Sequence, residues 1–324
     1  MQIEAQEEVW PLGNVFRISR GERTESRVVV VTVTDGEHVG RGEANPIRRY
    51  TQTTASVLAD IESIKGEQHL DRQRLQKLLP GGATRNALDC ALWDLEAKRS
   101  SKRVWEIADV AMKPEVETSF TLSLDTPDKM GAAAKANATT PMLKLKLGGD
   151  DLDLARVEAV RQANASSRLL IDANESWSPD HYRKVVPALK KLGVELIEQP
   201  FPAASDEILE TLDRPVPVCA DESCHTSDDL PRLKKRYDMI NVKLDKTGGL
   251  TEALRLCTRA RESGFKILVG CMVGTSLSMA PARIAASVAD YVDLDGPLLL
   301  ARDREHALVY QNGKIDIPSR ELWG

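Results

Sequence analysis

The sequence predicts an α/β protein, with an α+β segment followed by a parallel barrel of β/α units. Three observations predict it. Residues 1–45 read as strands and residues 53–112 as helices, a sheet followed by its helices. After Pro114, strand and helix patterns alternate as far as Leu294, giving eight strands with seven helices between them. The apolar runs of this second part also end on polar residues at a near-constant period. Lys146, Asp172, Glu198, Asp221 and Lys243 lie 26, 26, 23 and 22 residues apart. One acid or lysine closing each βα unit is the sequence signature of the C-terminal face of a parallel barrel. An open doubly wound sheet shares the alternation but has no use for that set of groups.

The elements follow in order. Ile3 to Leu12 alternates loosely as a strand, Val28-Val29-Val30-Val31-Thr32-Val33 is a strong one, and Asp35-Gly36 turns into a partner ending near Glu43. Ser19 to Glu25 is polar and reads as an exposed loop. Asn45 to Thr51 reads as a second loop, with arginines and Tyr50. Ala83 to Lys98 is the clearest early helix, with Ala87, Leu88, Ala91, Leu92 and Leu95 on one face. Barrel strands are expected near 117–124, 143–147, 168–172, 194–198, 216–220, 239–243, 266–269 and 291–294. Helices are expected near 127–138, 151–163, 179–192, 206–212, 228–236, 251–263 and 279–288. Ser178, Pro179 and Gly193 mark N-cap, N1 and C′ of the third of these. The tail, Ala307 to Gly324, carries an Asn312-Gly313 turn and is expected to return to the first segment.

Composition removes several function classes. The chain has 324 residues, 42% of them hydrophobic and 29% charged, with net charge −5. No basic surface argues for nucleic acid. No run reaches the roughly 18 apolar residues of a membrane helix, and the acidic start Met1 to Glu8 is no signal peptide. Five cysteines, none spaced as CxxC, suit free thiols in a reducing, cytoplasmic setting. A homo-oligomer is left open.

The strand-end groups specify a chemistry. Asp172, Glu198 and Asp221 on adjacent strands repel one another unless a cation sits among them. All-oxygen ligation favours Mg²⁺. Any one such acid could equally cap the next helix; three at this period, flanked by lysines, point to a metal. In Leu143-Lys144-Leu145-Lys146-Leu147 the alternation puts both lysines on one face. Lys146 precedes the three acids and Lys243 follows them, so the two face each other across the metal. That arrangement suits abstraction of a proton α to a carboxylate, with an acid/base on each face of the carbon. Metal charge and burial are expected to lower the lysine pKa values toward the base-competent range of about 7–8. Lys144 supplies positive charge, and Lys246 reads as loop or support. Asp293 and Asp295, on one face of the last strand, form a possible ammonium clamp.

These motifs resemble the enolase superfamily, in its muconate-lactonising-enzyme-like subgroup. The matching residues are Lys144-Leu145-Lys146, Asp172-Ala173-Asn174, Glu198-Gln199-Pro200, Asp221-Glu222-Ser223 and Asn241-Val242-Lys243, with Gly248-Gly249 following. The helix Asn86 to Leu95 is also typical. The resemblance implies a modified (β/α)7β barrel of TIM type over residues 114–299. It also implies an α+β capping domain over residues 1–113, completed by about 300–324. Within the superfamily the chain is similar to dipeptide epimerases, chiefly through Asp293-Leu294-Asp295. This implies Mg²⁺ on Asp172, Glu198 and Asp221, with Lys146 and Lys243 as the two acid/bases. A dipeptide from cell-wall peptide is then the implied substrate, with its ammonium on Asp293 and Asp295. Lys144 is implied near its carboxylate, Thr121 in the pocket wall, and Arg20 or Arg23 on the glutamate side chain, Arg23 being preferred. The chain departs from many relatives at Gly274, where they carry Glu.

Other readings compete. An o-succinylbenzoate synthase, an N-acylamino acid racemase or a cycloisomerase could use the same site, but their substrates present no free ammonium to Asp293 and Asp295. A Schiff-base aldolase could use Lys146 or Lys243 as nucleophile, but has no role for three converging acids. A catalytically dead barrel used as a scaffold has no reason to keep the full set.

Overall fold

The computed structural model describes residues 1–67 and 69–324. The chain opens with an antiparallel sheet of β1 (Gln2–Ile18), β2 (Gly21–Asp35) and β3 (His38–Ala44), in that order. The valine run of β2 is its buried centre. Gly40 and Gly42 are glycine because β3 lies directly on a helix: a Cβ on either would sit 2.1 Å from a carbonyl oxygen of Ala91 or Ala87. That helix is α3 (Ala83–Ser100), preceded by α1 (Thr54–Ile64) and α2 (Arg72–Leu78) and followed by the short α4 (Val104–Ile107). Thr53 and Ser56 form a capping box on α1, and Asp71 caps α2.

The stretch Ser19 to Glu25 is not the loop its polarity suggested. The β1–β2 ladder continues through it, with Phe16 opposite Arg23 and Ile18 opposite Gly21, leaving Ser19-Arg20 as the turn. A register shift between Pro11 and Phe16 is the irregularity in the ladder. The polar residues are therefore two strands of a projecting hairpin, whose tip reaches over the mouth of the barrel.

The second sheet has eight parallel strands, each paired to the next in chain order. The short β4 (Val116–Glu117) leads into β5 (Phe120–Leu122), then α5 (Pro127–Ala136), β6 (Met142–Lys146), α6 (Asp153–Ala163), β7 (Arg168–Asp172) and α7 (Pro179–Lys191). Next come β8 (Val194–Glu198), β9 (Val218–Ala220), α8 (Leu230–Leu233), β10 (Met239–Val242), α9 (Leu244–Thr247) and α10 (Leu250–Glu262). The barrel ends with β11 (Lys266–Gly270), α11 (Ser276–Ala286) and β12 (Tyr291–Asp293). It closes where Ser119 N donates to Val292 O at 2.9 Å.

Several expected elements are shorter or different. Residues 117–124 form no single strand, because the chain changes partner: Glu117 pairs with Lys314, and Phe120 with Leu143. The helix expected over 206–212 is a 3-10 segment, Asp206–Glu210. The helix over 228–236 shrinks to α8 after a 3-10 turn, Ser227–Asp229. Lys243 lies one residue past its strand, as the N-cap of α9. The tail forms β13 (Tyr310–Gln311) and β14 (Lys314–Ile315) around the Asn312-Gly313 turn, and β14 pairs with β4. Trp323 then donates to the carbonyls of Arg41 and Cys90, and Gly324 N to Asp94.

The period of two sorts the barrel interior into layers. Met142, Leu170, Leu196, Cys219, Met239 and Leu268 form an apolar floor. Two residues further along their strands stand Lys144, Asp172, Glu198, Asp221 and Asn241, all buried. Lys146 and Lys243 form the next level. Alternate residues such as Leu143, Leu145, Ile171 and Ile197 pack outward in the main core beneath the helices. Among the described residues, no helix is long and apolar enough to cross a membrane.

Candidate active site

The strand ends bring the expected acids and lysines into one cluster above the apolar floor. Lys146 Nζ lies 2.5 Å from Asp172 Oδ2. Lys144 Nζ bridges Glu198 Oε2 and Asp293 Oδ2, each at 2.7 Å, with Asp172 at 3.4 Å. Across the cluster Lys243 Nζ lies 2.8 Å from Asp221 Oδ2. Lys246, also buried, lies 2.6 Å from Asp221 Oδ1 and donates to the carbonyls of Asp221 and Asn241. Lys246 is thus a brace on the third acid. Asn241 donates to Glu198 Oε1 at 2.7 Å, and Asn174 N to Asp172 Oδ1 at 2.9 Å. Gln199 accepts from the backbone of Asp221 and Ser223.

The electrostatics are those of charges held away from water. Burial penalises the Asp172 and Asp221 carboxylates, yet Lys146 and Lys243 hold both below the usual range. Glu198 moves the other way, raised by burial and by the Asp172 charge. Burial opposes the charged form of Lys144 and Lys243, but Asp293 beside one and Asp221 beside the other keep both well above the ordinary lysine value. The lowering expected of Lys243 rests on metal charge as well as burial; Asp221, which faces the lysine directly, acts against it.

The donor set fits a hard cation. Among the described residues no three acids already converge on one point, because each is drawn onto a lysine. Yet Glu198 Oε2 and Asp221 Oδ1 receive no aligned N–H, although ammoniums lie close by. Three buried carboxylates with oxygen lone pairs to spare are what an oxygen-preferring dication needs.

Of the Asp293–Asp295 pair, Asp293 is already engaged: Ser119 Oγ donates to Oδ1 at 2.5 Å and Lys144 holds Oδ2. Asp295 accepts from Thr121 N at 2.6 Å, and burial next to Asp293 raises it to about 7. Thr121 thus meets Asp295 through its backbone, and neither it nor Asp293 or Asp295 is among the residues that line the cavity above the cluster.

A cavity of about 90 Å³ opens above the cluster, reaching Lys146, Lys243, Asp221, Phe16, Arg23 and Tyr50. The two arginines of the hairpin differ. Arg20 donates to Asn174 O and Glu175 and, at 2.8 Å, to Glu222 Oε1. Arg49 makes a two-pronged pair with the same Glu175. Among the described residues no carboxylate pairs with Arg23, whose guanidinium is lowered by burial and by Arg20. The sequence assigns no role to Ser119, nor to Glu222 beyond its place in the Asp221-Glu222-Ser223 motif. Glu222 adjoins Asp221, but nothing in the pattern shows that it turns toward Arg20. Gly274 leaves room for Ser278 and Glu43: a Cβ there would lie 2.5 Å from Ser278 Oγ and 2.9 Å from Glu43 Oε1, which accepts from Thr275 N at 2.8 Å.

Comparison with known proteins places this geometry. Residues 1–108 match the N-terminal domain of mandelate racemase / muconate lactonizing enzyme, and residues 129–321 match the enolase C-terminal domain-like family. The L-Ala-D/L-Glu epimerase of Escherichia coli is 44% identical over 97% of this chain and 99% of its own. The N-acetyl-D-glutamate racemase of a Pseudoalteromonas species is 45% identical over 92% and 95%. An enolase family member from Agrobacterium tumefaciens, solved with sodium and L-Ala-L-Glu, superposes with TM-score 0.97, at 46% identity over 99% of each chain. Further solved dipeptide epimerases, 27% to 29% identical, are complexed with Mg. The chain belongs to the enolase superfamily.

Proposed function

We propose that the protein is an isomerase, a dipeptide epimerase acting on L-Ala-D/L-Glu and inverting the α-carbon of its C-terminal residue. The observation that carries this is the entry of Lys146 and Lys243 into one cavity from strands flanking three buried acids. Mg²⁺ would be held by Asp172, Glu198 and Asp221. Bound there, it would supply Lewis-acid charge to the substrate carboxylate as the α-carbon loses its proton, and the carboxylates holding it would no longer be free to pair with the lysines.

The chain's own residues then do the following. Lys146 Nζ removes or returns the α-proton on one side of the carbon, and Lys243 Nζ does so on the other. Lys144, held between Glu198 and Asp293, adds fixed positive charge below the substrate carboxylate. Asp295 receives the dipeptide ammonium, with Asp293 behind it. Arg23 meets the glutamate side chain, because Arg20 is committed to Glu175 and Glu222. Phe16 and Tyr50 cover the mouth and restrict water. Cell-wall peptide is the proposed source of the substrate, and a cytoplasmic location the proposed setting.

The test is α-deuterium entry in D₂O from L-Ala-L-Glu and L-Ala-D-Glu, with and without EDTA. Exchange from both that EDTA abolishes is the expected result, and its absence with any dipeptide overturns the reading. The racemase relative favours one second reading, an N-acylamino acid racemase. Asp295→Asn separates the two: it should weaken the dipeptide far more than N-acetyl-D-glutamate, which has no ammonium.

A further inference from the structure

We infer that the first 113 residues set the position of one of the two lysines and not the other, with Asp245 as the positioning residue that carries the coupling. The inference rests on the epimerase reading and goes beyond it. Lys243 O accepts the Lys246 and Thr247 amides, at 2.9 and 3.0 Å, so the lysine belongs to the first turn of α9. That turn is held from outside the barrel. Asp245 Oδ1 accepts Asn45 N and Asn86 Nδ2, both at 2.9 Å. Arg85 donates to Thr247 O at 2.6 Å and Gly248 O at 3.1 Å. Asp89 takes the amide and hydroxyl of Thr251 at the start of α10.

Arg85, Asn86 and Asp89 sit within about one turn of α3, so one stretch of helix reads the whole Lys243 turn. All three are buried, as are Asn45 and Asp245. The approach leaves no room for side chains: a Cβ on Gly248 would lie 2.5 Å from Arg85 Nε, and one on Gly249 2.4 Å from Asp89 Cβ. Asn45 also donates to Val273 O, in the cavity wall, at 2.6 Å. One asparagine thus keys both the Lys243 turn and the pocket.

The Lys146 turn is held differently. Leu147 N donates to Asp172 O, and Gly148 N and Gly149 N to Asp153, at 3.0, 3.0 and 2.9 Å. Asp153 in turn accepts from Arg156 and Trp177. All of these partners belong to the barrel. From the first segment, the Phe16 ring approaches Lys146 Nζ to 6.0 Å. Disturbing Asp245 should therefore shift Lys243 while leaving Lys146 in place.

The test uses the full chain with Mg²⁺ and follows α-hydrogen exchange in D₂O from L-Ala-L-Glu and L-Ala-D-Glu separately. Lys146→Ala and Lys243→Ala first assign each epimer to its lysine. Asp245→Ala, which removes the acceptor of both N–H groups, is then expected to slow exchange from the Lys243 epimer on the order of 100-fold, the scale of a small misplacement, while the other stays within about threefold. Asn86→Ala, which removes a donor and leaves Asp245, carries the same test if Asp245→Ala does not fold. Equal losses on both epimers, or no loss on either, overturn the inference. A parent protein that exchanges neither epimer overturns the epimerase reading instead.

Discussion

The two ends of the barrel sheet carry similar charges in opposite settings. At the end where the strands begin, Arg168 pairs with Glu195 at 2.8 Å, with side chains 39% and 32% exposed. At the other end Lys144 pairs with Glu198 at 2.7 Å, 2% and 0% exposed. The contact lengths are alike; the solvent is not. An exposed pair gains little, roughly 0–1 kcal/mol, because water and salt screen it. A buried pair must balance its own desolvation, and breaking it costs about 3–5 kcal/mol by leaving a charge stranded. The comparison separates charge that keeps a surface soluble from charge that is kept for chemistry.

The largest expected effect strikes the buried end. Lys144→Ala leaves Glu198, Asp172 and Asp293 facing one another over an apolar floor. It should destabilise the metal-free protein by about 3–5 kcal/mol in urea unfolding. Mg²⁺ should recover part of that loss, since added cation replaces the missing charge. A variant as stable as the parent would mean that the cluster is not the dry ion network described.

Lys243→Ala should lower epimerisation by about 10²- to 10⁴-fold, the usual scale for loss of a general acid/base. α-Deuterium entry from one epimer should survive. Loss from both would contradict a lysine on each side. Arg23→Gln should raise KM for L-Ala-L-Glu by about ten- to a hundredfold, from the 1.5–3 kcal/mol of a charged hydrogen bond. It should leave a dipeptide with an apolar second residue little changed. If Arg20→Gln gives the selective effect and Arg23→Gln does not, the assignment of the two arginines is reversed.

Much of this was legible in the sequence, for a local reason. The period of two in Leu143–Leu147 and the recurrence from Lys146 to Lys243 are short-range patterns, and a parallel barrel converts them directly into a ring of groups. What was not legible depends on contacts between distant segments. The hairpin through Ser19–Glu25 is polar because its tip is exposed, so composition alone could not show a strand. Nothing local tells Arg20 from Arg23; the difference proposed between them rests on Glu175 and Glu222, supplied by two other strand ends, which pair with Arg20. Asp245 reads as an ordinary acid after a strand until Asn45 and Asn86 are placed against it.

Asp245 also sharpens the comparison through pH. Burial lifts its carboxyl to about 7 despite the N–H bonds it accepts. The folded chain therefore keeps a proton that the unfolded chain releases at the ordinary aspartate value of about 3.9. The stability this contributes is full below about pH 4 and is lost as pH rises through about 7. Asp245→Asn should flatten that part of the profile, so the fall in Tm between pH 5 and pH 8 should be smaller than in the parent. An unchanged slope would place the titration elsewhere.

The smallest effect is expected at the exposed end, and it is the one that calibrates the rest. Arg168 is a heavily bonded cation there: it meets Glu195 through two nitrogens, reaches Glu117 at 3.1 Å, and stacks 4.9 Å from the Tyr291 ring centre. If contact number set the energy, Arg168→Ala would rival Lys144→Ala. Water reaches all of these partners, and each carboxylate is rehydrated when the guanidinium leaves. The expected cost is therefore about 1 kcal/mol or less, further reduced by salt, with exchange of both epimers unaltered. A loss of several kcal/mol would show that exposure is a poor guide to what these ion pairs contribute, and would weaken the contrast on which the buried cluster is read as functional.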